Sequence, residues 1–436
     1  MKKKFLSLLC GALCCFTMMA QTNDSSSELR LSLSEARDYA LEHNRTLQNA
    51  DLSVRQAYAA RWQTIASMLP QADMSLGLNY TDGMMKIAMQ GMAMERDIET
   101  LAGSLGVSAS IAINGQLIMG ALINNTAIEM QNINKSNTEL DVISNVETYY
   151  ITALAMEKTV SLLDKSMVDL EKLYEITNNS VLAGVAEQTT ADQIKVQVAS
   201  MRSAINSTKR SLEMIYNALA LQMAAGADVK LVLTDELDNV LNVEEALNLL
   251  SADFNLSSNY SYQLAEQNVK MAKQNVIMAG MAYVPTLSAF YQYTSPNKYF
   301  KGEAAMEQSM GIVGVQLSIP LWSSGKRAAG ITEKKLARQA AENSLADARD
   351  ALMVQHKQLR YNLSTAYEDF DMQKLNIDVS QRVFESTSNK FEYGHASALE
   401  LTNASMTLLT AQSDYVQAIL SLVNAQIELK KLLNKK

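Results

Sequence analysis

Four short stretches of this chain alternate between apolar residues and polar or small ones. In the first of them, Met74, Leu76 and Leu78 alternate with Ser75 and Asn79. Successive side chains of a β-strand point to opposite faces, so this period of two indicates strands with one apolar and one polar face. The pattern predicts strands over about 72–80, 104–113, 286–293 and 311–321.

Two other stretches, residues 121–183 and 331–393, are each sixty-three residues long and contain neither Gly nor Pro. Because Gly and Pro are the strongest breakers of a helical pattern, each stretch predicts one very long helix. At 1.5 Å per residue such a helix is roughly 95 Å long, too long for an ordinary globular domain. Further helical stretches are predicted over about 31–69, 185–225, 243–285 and from 395 to the end of the chain.

The order of elements occurs twice. The segment Val243-Glu-Glu-Ala246 matches Leu33-Ser-Glu-Ala36, and Gly394 lies 210 residues after Gly184. We therefore predict a single elongated unit over 21–436 with an internal twofold repeat. Its parts are repeat one at about 31–226, a linker at about 227–242 and repeat two at about 243–436.

The strands have the length that crosses a bilayer when tilted, about nine to eleven residues. Every backbone N–H and C=O must be paired in lipid, so four strands would have to close with strands of other copies. Two copies would give eight strands and three copies twelve, the latter leaving a lumen. The alternative is a soluble pair of hairpins packed on helices.

The first twenty residues have the features of a secretory signal peptide. Lys2, Lys3 and Lys4 precede an apolar run, and residues 20–21 form a plausible cleavage site. All three cysteines lie in this segment. Lipidation would need a small residue before the cysteine, but Leu or Cys stands there, so simple cleavage is the prediction.

Charge excludes some classes of partner. Without the three signal-peptide lysines, the chain has 35 basic and 46 acidic residues, a net charge of −11. An acidic chain with no basic cluster is not typical of nucleic-acid binding. No segment after residue 20 approaches eighteen consecutive apolar residues, so no transmembrane helix is predicted.

Several short pieces of the chain belong together: Leu33-Ser-Glu-Ala36 with Ala40-Leu41 and Asn44, Leu317-Ser-Ile-Pro-Leu-Trp322 with Ser324-Gly325, and the two Gly turns. Taken in order, these pieces resemble the TolC family of outer membrane efflux proteins over essentially all of the mature chain. The resemblance implies a homotrimer with a twelve-stranded β-barrel in outer membrane lipid and a long α-helical barrel through the periplasm of a Gram-negative bacterium. It implies an inner membrane pump and a periplasmic adaptor (membrane fusion protein) as partners. The chain departs from the family at Arg45, where Pro is frequent, and at Ala112, where the second hairpin has Pro320.

The resemblance also implies functional positions at the two helix–turn–helix tips. Glu400 matches a family position for a gate carboxylate, and three copies would form an acidic ring that attracts cations. The alternative is a solvated surface glutamate. Asn403, Thr190 and Asp192 are the other gate candidates. The residues expected to contact the adaptor are Ala183, Gly184, Val185, Thr189, Tyr393, Gly394, His395 and Leu399. The alternative for each glycine is a helix C-cap in the left-handed conformation, and both can hold at the same tip.

The remaining chemistry is sparse. Glu392-x-x-His395 fits half of a di-iron motif but has no second copy, and no nucleophile elbow, P-loop or zinc spacing occurs. We predict no enzyme, metal or cofactor, and read the Met-rich segment 81–103 as a flexible loop. The predicted function is a passive exit duct for tripartite efflux or type I secretion. The alternatives are a periplasmic adaptor or a helical scaffold without a channel.

Overall fold

The computed structural model of the chain describes residues 28–89, 92–226, 229–297 and 309–435. The predicted signal peptide at 1–20 therefore lies outside the described residues. The fold is mainly helical, as predicted, with one four-stranded sheet and one two-stranded sheet. In chain order the elements are β1 (Glu28–Leu31), α1 (Leu33–His43), α2 (Arg45–Ala66), β2 (Gln71–Met89), β3 (Met92–Ile113), α3 (Gly115–Leu182), α4 (Gln188–Met223), β4 (Lys230–Leu233), α5 (Leu237–Val240), α6 (Val243–Leu250), α7 (Tyr260–Gly280), β5 (Thr286–Asn297), β6 (Met310–Ser318), α8 (Lys326–Glu392) and α9 (Ala398–Leu432).

The two long helices are confirmed. Helix α3 has 68 residues and helix α8 has 67. Both begin before the glycine expected to precede them, so Gly120 and Gly330 lie inside helices rather than at their starts. One glycine costs a helix interior about 1 kcal/mol, which a helix packed along most of its length tolerates.

The prediction of one continuous helix at 31–69 is wrong, because the helix is interrupted at Asn44 and forms two helices, α1 and α2. The backbone of Asn44 is extended, and its Oδ1 accepts hydrogen bonds from the N–H groups of Thr46 and Leu47 at 2.8 and 3.1 Å. Its Nδ2 donates to the carbonyl of Gln222 at the end of α4, at 2.6 Å. Asn44 thus ends one helix, caps the next and ties both to α4.

Asn259 has the same arrangement in the second half, where a continuous helix at 243–285 was expected. It caps α7 by accepting from the N–H groups of Ser261 and Tyr262. Its Nδ2 donates to the carbonyl of Leu432 at the end of α9, at 2.9 Å. The predicted helix is therefore divided into α6, two 3₁₀ turns (Leu256–Ser258 and Met281–Tyr283) and α7.

The predicted linker at 227–242 contains ordered elements. Strand β4 pairs in parallel with β1, and all but the last residue of β1 precede the helix predicted from about residue 31. Asp235 anchors this pair, because its Oδ2 accepts from the N–H of Leu33 at 2.7 Å and from the buried hydroxyl of Tyr150 at 3.0 Å. The start of the first half is thereby joined to the segment that precedes the second.

All four predicted strands form one sheet, in the order β2-β3-β5-β6, with antiparallel neighbours. The expectation of a loop at 81–103 is wrong, because β2 continues to Met89 and β3 starts at Met92, and residues 90–91 lie outside the description. The alternation also predicts a loop around Ser295 to Ser309, and residues 298–308 of it lie outside the description. Strand β6 ends at Ser318, earlier than the predicted 321, and Pro320 beyond it has no N–H to donate to a ladder.

Buried apolar residues form three clusters in the described part of the chain. The largest cluster surrounds the middle of the long helices and joins α1, α3, α4, α6, α8 and α9. It includes the ion pair of Arg37 with Glu147, whose pKa is raised because burial disfavours its charged form. A second cluster near the two tips brings Leu173, Ile194, Phe384 and Leu401 together, one from each long-hairpin helix. No helix among the described residues is long and apolar enough to cross a membrane.

Candidate functional site

The four-stranded sheet has one apolar face that runs across all four strands. Met74 of β2 lies opposite Val107 of β3, which lies opposite Tyr293 of β5. Side chains of the two outer strands on this face are exposed, with Met74 69% accessible and Val315 74%, and most of those on β3 are partly exposed. A soluble sheet buries such a face against a core, so this exposed one requires an apolar partner such as lipid. The face consists of Ala72, Met74, Leu76, Leu78, Tyr80, Leu105, Val107, Ala109, Ile111, Ile113, Leu287, Ala289, Tyr291, Tyr293, Val313, Val315 and Leu317.

The other face of the sheet consists mainly of polar and small residues along β2 and β3. Ser75 of β2 is opposite Gly106, where an added Cβ would lie 2.7 Å from the serine hydroxyl. The large apolar residues on it are Phe290, Met310 and Ile312. The ring of Phe290 lies over Gly314 of β6, since a Cβ at that position would come within 2.5 Å of the ring. The small opposing residue is therefore what admits the ring. This face suits contact with water.

Each outer strand of the sheet has one unpaired edge among the described residues. Strand β2 pairs only with β3, and β6 only with β5. An open edge exposes a row of unsatisfied N–H and C=O groups, which are costly in lipid. Strand β2 follows α2 and strand β6 precedes α8, so each outer strand of the sheet is connected along the chain to a helix.

The two tips have the same geometry, in the left-handed form expected of each glycine. Gly184 and Gly394 both have φ of +74°. The N–H of Val185 donates to the carbonyl of Ser180, and that of Gly184 to the carbonyl of Val181, at 2.9 Å each. His395 and Gly394 make the equivalent bonds at the second tip. This is the Schellman motif, in which only glycine avoids a steric penalty.

The tips expose several apolar side chains. Val185 is 83% accessible, Tyr393 76% and Leu399 64%. Leu182, which sequence reasoning did not select, is 79% accessible at the end of α3. The other residues expected at the tips, Ala183, Gly184, Thr189, Gly394 and His395, are also exposed. Such a patch at the far end of two long hairpins is typical of a protein-contact surface.

Glu400 has a defined local role that sequence reasoning missed. Its carboxylate accepts hydrogen bonds from the N–H of Ser397 at 2.8 Å and from the Ser397 hydroxyl at 3.1 Å, forming a capping box at the start of α9. The backbone bond lowers the pKa of the carboxyl below its ordinary value, so it is ionised at neutral pH. The signal was present, because Ser-x-x-Glu before a helix is the capping-box pattern.

The other gate candidates lie nearby on the first turns of the two return helices. Asn403 is exposed on α9, one turn beyond Glu400. On α4, Thr190 is half-buried, and exposed Asp192 accepts a hydrogen bond from Gln188 at 3.1 Å. No group of three or more His, Cys, Asp or Glu side chains in the described ranges is arranged to hold a metal ion.

Comparison with known proteins gives a consistent result. The family model for "Outer membrane efflux protein" matches residues 36–225 and 255–435. The cation efflux system protein CusC of Escherichia coli O157:H7 is 22% identical over 386 residues, covering 86% of this chain and 79% of CusC. The pyoverdine export outer membrane protein OpmQ of Pseudomonas aeruginosa is 22% identical over 400 residues, covering 90% and 83%.

A solved structure of CusC superimposes with a TM-score of 0.74, at 16% identity and over 93% of this chain and 92% of that one. At this level of identity the likeness shows a shared fold.

Proposed function

This chain belongs to the outer membrane efflux protein family, and we propose that three copies of it assemble into the exit duct of a tripartite pump. The resemblance to the TolC family is thereby confirmed, as are the outer membrane of a Gram-negative bacterium as its location and efflux as its activity. The family match favours the duct over the adaptor and scaffold alternatives.

The observation that supports the assembly is the exposed apolar face of a sheet with two open edges. We infer that β6 of one copy pairs with β2 of the next, so that three copies form a closed barrel of twelve strands. The apolar face would contact lipid and the polar face would line the lumen. The alternation is sustained over Gln71–Tyr80 of β2, a length that crosses the hydrocarbon core. Positions beyond it, such as Asp82 and Lys86, include charged residues, which places the rest of the hairpin outside the lipid.

The recurrence of the asparagine caps supports the proposed twofold repeat. Asn44 and Asn259 each bond to the end of a return helix, α4 or α9, and each tip is a Schellman turn. With three copies, two hairpins per copy would make a helical tunnel that continues the barrel through the periplasm. The repeat boundaries proposed are 31–226 and 243–436.

We propose that the exposed tips contact a periplasmic adaptor, which in turn joins an inner membrane pump. The accessible side chains of Leu182, Val185, Tyr393 and Leu399 support this assignment. The duct itself acts passively, and the pump supplies the energy. Relatives named for cation efflux and for pyoverdine export share the fold, which supports a duct that does not itself select its cargo.

The assembly can be tested by disulfide cross-linking, because residues 21–436 contain no cysteine. Cysteines are introduced in pairs, one on β2 (Ser75→Cys) and one at successive positions 312–316 of β6, in membranes under mild oxidation. Within one chain β2 and β6 are three strand spacings apart, roughly 14 Å, whereas a disulfide needs Cα atoms within about 7 Å. Dimer and trimer bands from at least one register support the assembly. Monomer at every register would refute it. Single-cysteine variants are the controls.

A further inference from the structure

Helix α8 has an exposed apolar side in addition to the side that it buries. Met372, Leu375, Val379 and Val383 follow one another at three- and four-residue spacing and are 47–62% accessible. Residues spaced in this way share one face of a helix. Phe370 and Phe384, which are buried, lie on the opposite face. We call the four exposed residues the α8 ridge.

A row of acidic residues flanks the α8 ridge. Asp371, Asp378 and Glu385 recur every seven residues and are all exposed. Seven residues are close to two helical turns, so the three carboxylates form one row along α8, roughly 100° around the helix from the centre of the ridge. Asp371 and Asp378 have no ion-pair partner among the described residues, and Glu385 accepts one hydrogen bond from Gln381. An apolar ridge with unpaired carboxylates favours a partner with a basic, partly apolar surface.

A groove of complementary character runs along the first hairpin, between α3 and α4. Its volume is about 740 Å³. Its floor includes the small residues Ala199 and Ser203, and its cations are Lys195, Arg202 and Arg210. Arg202 donates to Glu171 of α3 at 2.8 Å, whereas Lys195 and Arg210 have no ion-pair partner within the described part of the chain. We call this the basic groove.

The ridge and the groove lie at the same distance from the tips. The cluster of Leu173, Ile194, Phe384 and Leu401 shows that the two tips are level with each other. Asp378 is sixteen residues before Gly394, and Arg202 is eighteen residues after Gly184. A difference of two residues corresponds to about 3 Å along a helix, which an arginine side chain spans easily.

The other charges match in the same way. Asp371 is twenty-three residues before the second glycine and Arg210 twenty-six after the first. Glu385 is nine residues before its glycine, and Lys195 is eleven after its own. Three acidic and three basic residues therefore face each other at similar heights if α8 and α4 lie side by side in opposite directions.

We propose that the α8 ridge of one copy lies in the basic groove of the next copy. The inference rests on the assembly proposed above and names the contact that closes its helical part. Within one chain α8 packs on α7 and α9 while α4 packs on α3, so the ridge and the groove belong to different sides of the same molecule. A contact between different surfaces of identical chains is heterologous, and it forms a closed ring when the rotation between copies is that of the proposed three-copy barrel.

The contact continues the one between strands. Helix α8 follows β6, and β6 is the edge proposed to pair with the next copy. A neighbour that joins the sheet edge is thereby placed beside α8 as well. Of the possible occupants of the ridge, a second copy is the one that the charge pattern and this continuity both favour.

The first test introduces Ser203→Cys in the groove and Val379→Cys on the ridge of one full-length chain. In the proposed contact the two positions face each other, nineteen residues after one glycine and fifteen before the other. Under mild oxidation in native membranes we expect dimer and trimer bands on a gel without reductant. The matched control replaces Ser203→Cys by Ser413→Cys, an exposed residue of α9 that is also nineteen residues after its glycine. The control should give no band between copies.

The second test exchanges one charge pair in the cross-linking background. Arg210→Glu or Asp371→Arg alone places like charges opposite each other, and each should lower the cross-link yield several-fold. The combination of both restores opposite charges and should recover most of the yield. A structural effect of either residue on its own helix would not be rescued by the other substitution.

The outcomes separate this contact from the assembly itself. Cross-links between β2 and β6 without any between Ser203→Cys and Val379→Cys would leave the assembly standing and overturn the proposed contact. The absence of both would overturn both. Equal yields from the Ser203 pair and the Ser413 pair, or a charge exchange without recovery, would also contradict the contact.

Discussion

Replacing Asn259 with Ala should destabilise the fold more than any surface substitution, because one side chain satisfies three backbone groups. Asn259 is 5% accessible, caps the first turn of α7 and donates to the carbonyl of Leu432. Loss of an N-cap costs about 1 kcal/mol, and a buried carbonyl left without its donor costs about 1–3 kcal/mol. The expected total is about 2–4 kcal/mol.

Thermal unfolding of the purified protein in detergent gives the readout. With an unfolding entropy of about 2.1 cal/mol/K per residue over roughly 400 residues, that cost lowers Tm by about 2–5 °C. Asn255→Ala is the matched control, because Asn255 is an exposed asparagine that caps only a 3₁₀ turn, through the N–H of Ser257. We expect the control to shift Tm by less than about 1 °C. Equal shifts in the two variants would refute the assigned role of the buried amide.

Three further predictions follow from individual contacts. Burial lowers the pKa of His356. The stabilising contribution of His356 is therefore complete above the unfolded pKa of about 6.5 and is lost as the pH falls through the lower folded value. The variant His356→Phe should lose less Tm between pH 7.5 and 5 than the wild type, and an unchanged loss would contradict this. Glu400→Gln keeps a capping-box acceptor but removes the charge, so it should lower cation selectivity in planar bilayers. Ser397→Ala should instead lower Tm without changing selectivity. Identical selectivity in the wild type and in Glu400→Gln would show that Glu400 is not part of the gate. Gly314→Ala should displace the ring of Phe290 and reduce the yield of assembled protein, with recovery in the double variant that also has Phe290→Ala; a Gly314→Ala protein that assembles normally would count against the close contact.

Features set by local chemistry could be predicted from the sequence. The alternation at Met74, Leu76 and Leu78 identified both the strand and its apolar face, because the period of two fixes the face of every side chain. The glycines at the tips predicted left-handed turns for an equally local reason. Ser32 and Glu35 form a capping box at the start of α1, and the Ser-x-x-Glu pattern that indicates it is present in the sequence.

Features that depend on distant partners were missed. Asn44 and Asn259 break helices that have no Gly or Pro at these points, and what stabilises each break is a carbonyl more than 170 residues away. Strands β1 and β4 have four residues each and depend on pairing with each other, so neither has a periodic signal of its own. The extension of β2 to Met89 was missed because its alternation stops after Tyr80, although its pairing with β3 does not.

In the candidate site, too, features set by local sequence could be predicted and features that depend on tertiary packing could not. The exposed tips were located by the two glycines, whereas the bonds that Glu400 makes to Ser397 required coordinates to recognise, even though the sequence pattern was present. The α8 ridge and the basic groove were not found from the sequence. Each is defined by which face of a long helix the rest of the chain leaves uncovered, and that depends on tertiary packing.

The measurement that tests the central claim most directly is the mass of the complex extracted from outer membranes in detergent. We predict a single species of about three times the 48.0 kDa of the full chain, less three signal peptides, because three copies supply the twelve strands that close the barrel. A water-soluble monomer recovered from the periplasm would contradict the account, since its exposed sheet face would then need no lipid and its open strand edges no neighbour.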